Sequence, residues 1–283
     1  MSKEFSIMKR VLRLAKRGKG NVSPNPMVGA VIVKNGRIVS EGFHRHAGAL
    51  HAEIDAIEKA KEPLCGATLY VNLEPCCHWG RTPPCVDRII SERFKKVVIA
   101  TSDPNPQVKG KSIRKLRSEG IEVEVGILKE EATKLNEVFF KNMLEKRPFV
   151  AVKIAQSLDG KITTRKGESK WITSPQARNY AKKLRDEYDA VLVGVNTIIK
   201  DNPTLNGIRK MPYKIVVDTN LRIPLHCRLI KEHKDKLVIF SLNPAKEKLN
   251  VLKKKGVKIF TFYNKKTLPL KKILDILLSL IHI

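Results

Sequence analysis

Apolar residues recur along this chain with two different periods. Met8, Val11, Leu12 and Ala15 share one helical face with basic residues opposite, which predicts an amphipathic helix over residues 4–17. Asn21 to Pro26 reads as loop. Val28 to Val33 and Arg37 to Phe43 are β-rich runs joined by Asn35-Gly36, a strong short-range hairpin signal. A helix is expected from near His51 through Ala56, Ile57 and Ala60. A strand over Thr68 to Leu73 then delivers Glu74-Pro75-Cys76 to a second helix start. Pro83-Pro84 precedes a helix through Val86, Ile89 and Ile90, since proline suits a first helical turn.

Farther along, strands at Lys96 to Ala100 and Glu122 to Val125 flank a helix from Lys111 to Glu119 closed by Gly120. One long helix is predicted from Glu130 to Lys146. Strands alternating with helices argue for a three-layer α/β domain. Arg147-Pro148 ends the last helix, because a residue before proline avoids helical geometry. The boundary therefore falls between residues 1–147 and 148–283. The second segment opens with a predicted strand from Phe149 to Ser157. A helix follows from Ser174 to Tyr188, capped by Thr173-Ser174-Pro175. Asp189 to Val195 has the pattern of a buried strand; Lys214 to Asp218 and Lys236 to Ser241 are two more.

Composition adds limits. At 283 residues there is room for two ordinary domains, and 42% apolar with 29% charged residues describes a globular chain. The five cysteines are unevenly spaced and follow no charged-then-apolar leader, which speaks against a secreted disulfide framework. The apolar tract from Ile273 to Ile283 is too short for a bilayer span and contains Asp275. A cytoplasmic, soluble protein without a membrane partner is expected. The formal net charge of +27 attracts polyanions and phosphorylated small molecules alike. Lysine is scattered rather than striped, and aromatics are only 6%, which argues against nucleic acid. A homo-oligomer stays open.

The chemistry concentrates between His51 and Cys85. His51-Ala52-Glu53 precedes the 68–73 strand, and Glu74-Pro75-Cys76-Cys77-His78-Trp79-Gly80-Arg81-Thr82-Pro83-Pro84-Cys85 follows it. One imidazole and two thiolates would hold a zinc ion while leaving its fourth position open, as catalytic rather than structural sites do. Glu53, two residues from His51, suits a proton carrier better than a ligand. This H-x-E…P-C pattern is that of the zinc deaminases. Cysteines at helix starts would feel the positive dipole end, which favours thiolate. The alternative, a stray His-x-Glu beside two cysteines buried as small hydrophobes, leaves the joint spacing unexplained.

Together with Pro24-Asn25-Pro26-Met27-Val28-Gly29 and Asp103-Pro104-Asn105-Pro106, these residues resemble the bifunctional riboflavin-biosynthesis deaminase/reductase family. Ser157-Leu158-Asp159-Gly160-Lys161, Gly167-Glu168-Ser169-Lys170-Trp171-Ile172-Thr173 and Asp201-Asn202-Pro203-Thr204-Leu205 extend the resemblance to about residue 225. It implies a cytidine-deaminase-like three-layer domain followed by an incomplete dihydrofolate-reductase-like α/β domain. The implied first reaction hydrolyses an amino group of a diaminopyrimidinone ribosylamino phosphate to a carbonyl. His51, Cys76 and Cys85 would hold Zn2+ and Glu53 would be catalytic. Asn25, His44, Arg81 and Asn105 would contact the phosphorylated substrate, and Cys77 is not a ligand. The implied second reaction reduces the ribosyl chain with NADPH. Ala155, Trp171, Thr197, Asp201 and Thr219 would contact that cofactor; Ser169, Arg185, Leu205 and Arg209 would contact the substrate, Arg209 only after a one-residue shift. Taken without the resemblance, Trp171 reads as a core aromatic and Arg185 as a solvated helix position.

The family's later glycine-rich segment has no counterpart in this sequence, so a truncated, inactive reductase half with weak NADPH binding, unpaired sheet edges and exposed apolar surface is expected. Two competing readings remain: a tRNA or nucleoside deaminase, and a non-catalytic zinc-stabilised binding module. The long separation of Cys76 and Cys85 and the second domain disfavour the first; Glu53 disfavours the second.

Overall fold

In a computed structural model, which describes residues 2–80, 83–168 and 171–281, the chain folds as two compact units, Met1–Phe149 and Val150–Ile283. The first unit contains α1 (Lys3–Ala15), β1 (Gly29–Lys34), β2 (Arg37–Phe43), α2 (Ala52–Lys59), β3 (Thr68–Leu73) and α3 (Cys85–Ser91). It continues with β4 (Lys96–Thr101), α4 (Lys111–Ser118), β5 (Glu122–Val125), α5 (Lys129–Leu135) and α6 (Glu137–Glu145). Its sheet runs β2-β1-β3-β4-β5. The β1 strand is antiparallel to both neighbours, whereas β3, β4 and β5 are parallel. Asn35 and Gly36 both take positive φ, 49° and 77°, the pair of left-handed residues that a tight hairpin requires.

Alternate strand residues face opposite sides, and each side is covered by helices. Ile32, Leu69, Val71 and Ile99 pack with Ala56 of α2, Ile89 of α3 and Leu116 of α4. Val31, Tyr70 and Val98 pack with Met8 and Val11 of α1 and Ala132 of α5. This is the three-layer arrangement expected from the alternation of periods.

Two details of the first unit correct the sequence reading. Cys76 does not open a helix; it lies in a loop after β3, and only Cys85 begins one. The predicted helix from Glu130 to Lys146 is two helices broken at Asn136, whose buried side chain bonds to the distant Met27 backbone. Tertiary hydrogen bonds override the local periodicity there.

The second unit holds α7 (Pro175–Arg185), β6 (Ala190–Gly194), α8 (Val195–Asp201), β7 (Tyr213–Val217) and α9 (Arg228–His233). It ends with β8 (Leu237–Ser241), α10 (Lys246–Lys254), β9 (Lys258–Thr261) and α11 (Leu270–Ile281). The sheet is wholly parallel in the order β6-β7-β8-β9. Ile198, Leu229, Ile230, Leu249 and Leu252 from α8, α9 and α10 fill one face, while Ile273 and Leu277 of α11 cover Phe240 and Ile215 on the other. The Ile273–Ile283 tract, noted in sequence only for its length, thus contributes an amphipathic covering helix through its described part.

The strand expected from Phe149 to Ser157 does not form. Among the described residues that stretch has no ladder partner, and Val150, Val152 and Ile154 are exposed. The 189–195 strand is not buried either: β6 is an edge strand with Leu192 exposed. An unpaired extended segment leaves backbone donors and acceptors to water, so nothing holds its side chains against the sheet. No helix among the described residues is long and apolar enough to cross a membrane.

The helix α2 docks on β2 at Gly42, where an added Cβ would stand 2.4 Å from both the Ala52 carbonyl oxygen and the Ala56 nitrogen. The Ser40 hydroxyl donates to the Ala56 carbonyl, and Asp55 accepts the Phe43 N–H at 3.1 Å. We expect Gly42→Ala to destabilise the protein by about 1–3 kcal/mol, the usual cost of overpacking, measured by urea denaturation. The displaced α2 should also weaken zinc retention.

Candidate metal centre

His51 is the residue before the first turn of α2, with extended backbone (φ −68°, ψ 156°). Its Nδ1 lies 3.2 Å from Cys85 Sγ and 3.5 Å from Cys76 Sγ. All three donor atoms fall within 4.8 Å of one another. With bonds of about 2.0–2.3 Å, tetrahedral zinc places its N and S donors roughly 3–4 Å apart, so these side chains fit the ion. Cys77 stays outside the group; its thiol points to the Gln107 carbonyl at 3.7 Å.

The start of α3 still serves Cys76, although Cys76 is not part of it. The backbone N–H of Cys85 donates to Cys76 Sγ at 3.3 Å. Hydrogen bonds from the Cys85 thiol, His51 and that backbone N–H pull the Cys76 thiol down to about 4, despite burial. Cys85 is driven the other way, well above the ordinary thiol range, by its bond to Cys76 and by burial. The two thiols share a proton-bearing contact, and a metal ion binding both sulfurs would displace the proton they hold.

Glu53 lies in the first turn of α2 and is 3% exposed. Burial pushes its carboxyl up to about 7, against the pull of the His51 imidazole and a hydrogen bond with the Cys85 thiol. A carboxyl poised there exchanges protons near neutral pH.

His44 meets His51 edge to face, with ring centroids 5.6 Å apart. Its Nδ1–H donates to the Leu50 carbonyl at 2.9 Å, which leaves Nε2 to accept from Asn25 Nδ2 at 3.1 Å. Burial lowers the His44 pKa and keeps the ring neutral. Asn25 and His44 are thus brought together beside the three donors. Asn105 is a turn residue: its Oδ1 accepts the Gln107 N–H and its own N–H donates to Asp103. Arg81 and Ser169 lie outside the described residues.

One important residue escaped the sequence reading. Glu74 is buried beside Pro75-Cys76 and accepts N–H bonds from Asp103, Gly110 and Ile113 at 3.2, 3.0 and 3.4 Å. Its only signal in sequence was a carboxylate ending an apolar strand.

In the second unit, Arg185, half-buried rather than solvated, donates to the Asn206 carbonyl at 3.0 Å. Asp186 accepts the N–H groups of Arg209 and Lys210 at 3.0 and 2.9 Å. Arg185, Leu205 and Arg209 are therefore drawn around one loop, but the Leu205 side chain is packed in the core. Thr197 and Asp201 share α8, which follows the C-terminal end of β6, and Thr219 follows the corresponding end of β7. Such strand ends are where open parallel sheets bind ligands. Ala155 sits on the unpaired 149–156 stretch. Trp171 is not a core aromatic; it is 71% exposed beneath the Arg178 guanidinium, 4.2 Å from its ring centroid.

Comparison with known proteins accounts for both units. Residues 1–101 match the cytidine and deoxycytidylate deaminase zinc-binding region, and residues 148–279 match the RibD C-terminal domain. The riboflavin biosynthesis protein RibD of Aquifex aeolicus is 48% identical over 98% of this chain and 78% of its own length. That of Escherichia coli is 42% identical over 80% of this chain and 66% of its own. The structure of Acinetobacter baumannii RibD superposes with a TM-score of 0.87 at 38% identity, covering 98% of this chain and 77% of that one. A Thermotoga maritima diaminohydroxyphosphoribosylaminopyrimidine deaminase/5-amino-6-(5-phosphoribosylamino)uracil reductase gives 0.86 at 42% identity, covering 99% and 78%. With a zinc-binding deaminase region and a RibD reductase domain in one polypeptide, the chain belongs to the RibD family of riboflavin-biosynthesis enzymes, whose cofactors are zinc and NADPH.

Proposed function

We propose that residues 1–147 catalyse hydrolytic deamination of a diaminopyrimidinone ribosylamino phosphate, releasing ammonia and leaving a ring carbonyl. The observation that carries this reading is a buried Glu53 carboxyl beside three donor atoms whose spacing suits zinc. Zinc bound by His51, Cys76 and Cys85 would supply Lewis-acid activation of water. Glu53 would take a proton from the attacking water and give one to the departing amine, a role suited to a buried carboxyl in the first turn of α2. His44 holds the Asn25 amide in place through Nε2, which leaves the second Nδ2 hydrogen and the Oδ1 of Asn25 for the pyrimidine. Asn105 offers its amide from the neighbouring loop. Arg81 is assigned to the substrate phosphate on charge, since a charge-assisted pair outweighs a neutral one. Thiol ligands survive best in a reducing compartment, which favours the cytoplasm.

Residues 148–283 form the reductase-like domain. Thr197, Asp201 and Thr219 sit where NADPH would meet the strand ends, with Ala155 and Trp171 as further contacts. Ser169, Arg185 and Arg209 are assigned to the ribosyl phosphate; Leu205, whose side chain is in the core, would meet the substrate only through its backbone. The hydride belongs to the cofactor, and the protein supplies position. The 149–156 stretch, which carries Ala155, makes no ladder among the described residues, so its half of such a site is not held in place.

Three outcomes test these assignments. Glu53→Ala should lower ammonia release by at least about a hundredfold, the usual scale for losing a general acid–base group, while bound zinc measured by atomic emission stays unchanged. Cys85→Ser should lose both zinc and turnover. The purified chain, given the deaminated product, should not oxidise NADPH; steady loss of absorbance at 340 nm would overturn that part of the reading. A tRNA deaminase would instead show RNA binding that falls steeply with salt.

A further inference from the structure

Asn136 interrupts what would otherwise be one helix. It stands between α5 and α6 with φ −106° and ψ 25°, and its side chain is buried. An asparagine at a helix start ordinarily turns its oxygen onto the N–H groups of the following turn. This one makes no such cap. Its Oδ1 accepts the N–H of Met27 at 2.8 Å, and its Nδ2 donates to the carbonyl of the same residue at 2.9 Å. The paired bonds fix the Met27 peptide groups from a site 109 residues away in sequence. Asn72 adds a bond to the same carbonyl at 3.0 Å and accepts the Gly29 N–H at 2.8 Å.

Met27 lies between the two points where this loop grips His44. Two residues earlier, Asn25 Nδ2 donates to His44 Nε2; one residue later, the Val28 carbonyl accepts the His44 N–H at 2.9 Å. His44 in turn packs edge-on against His51. We propose that Asn136 is a positioning residue for the deaminase reaction: by clamping the Met27 backbone it sets the place of Asn25 and His44 beside the metal ligands. The inference rests on the deaminase reading, and it goes beyond it by assigning a role to a residue far from the reacting atoms. The helix break follows from the same requirement. An unbroken helix from 129 to 145 would give Asn136 helical dihedrals, which are not those that aim its amide at Met27.

The test uses the zinc-loaded full chain and the variants Asn136→Ala, Asn25→Ala and the double variant. Asn136→Ala should retain wild-type zinc content and raise KM for deamination by about tenfold with kcat changed less than about threefold. In the Asn25→Ala background the same substitution should raise KM by less than about twofold, because residues acting through one another are not additive. Hydrogen exchange should quicken at the Met27 and His44 amides by about tenfold or more and stay unchanged at Val71 in β3. An unchanged KM, equal increments in both backgrounds, or loss of zinc or folding in Asn136→Ala would overturn the proposal, the last by making Asn136 a residue of the fold alone. Should the wild type release no ammonia, the deaminase reading fails by itself. Exchange at Met27 and His44 then still decides whether Asn136 governs the loop, unchanged rates counting against it.

Discussion

Three donor atoms carried on separate stretches of chain have to meet within a few ångströms, and most of the first unit serves that requirement. His51 is 25 residues from Cys76 and Cys76 is nine from Cys85. No local structure brings them together. The sheet does so by ending β3 beside the start of α2, and α2 can lie there only because Gly42 presents no side chain. The start of α3 then supplies both Cys85 and the N–H that steadies the Cys76 thiolate. A neutral imidazole and two cysteine sulfurs form a donor set with two net negative charges once both sulfurs ionise. A dication therefore relieves the repulsion that this packing creates.

What could be read in the sequence follows from this division between local and distant causes. The Asn35-Gly36 hairpin, the five strands of the first sheet and α1 all announce themselves through nearest-neighbour chemistry and periodicity, and all are present. The residues of the candidate metal centre stood out in the sequence because their types and spacing admit few other uses, and the fold brings their donor atoms within 4.8 Å of one another. The loops around the centre were not. Asn136 sits in a good helical pattern and gives no local sign that its amide is engaged with Met27. Glu74 gives no sign that it gathers three amides from residues 103–113. Cys76 was expected at a helix start, yet the N–H it accepts comes from nine residues later.

The second unit shows the same limit from the other side. Phe149 to Ser157 has excellent strand composition, and composition is a statement about fitting a pleated, half-buried surface rather than about the backbone itself. Among the described residues there is no ladder for that stretch, so its apolar side chains stand exposed. By contrast β9 and α10, weakly marked and rich in lysine, are ordered because β8 and the core beneath them offer surfaces to cover. Charge was a poor guide throughout. Lys96, for example, holds Glu4, Glu122 and Glu124 at the edge of the first sheet, which raises its pKa.

Both units secure a loop by one device. Glu74 collects amides of the 103–113 loop, and Asp186 collects those of Arg209 and Lys210 in the second unit. The Asp186 carboxyl is pulled below its usual range by the Lys210 and Arg209 amides. Such an anchor imposes little on the side chains of the loop it holds, because it grips backbone. Loop sequences can then change to suit a substrate while the loop stays in place. The cost is sensitivity at the anchor itself: removing one carboxylate leaves two or three amides without partners at once, which the loss of a single loop side chain does not.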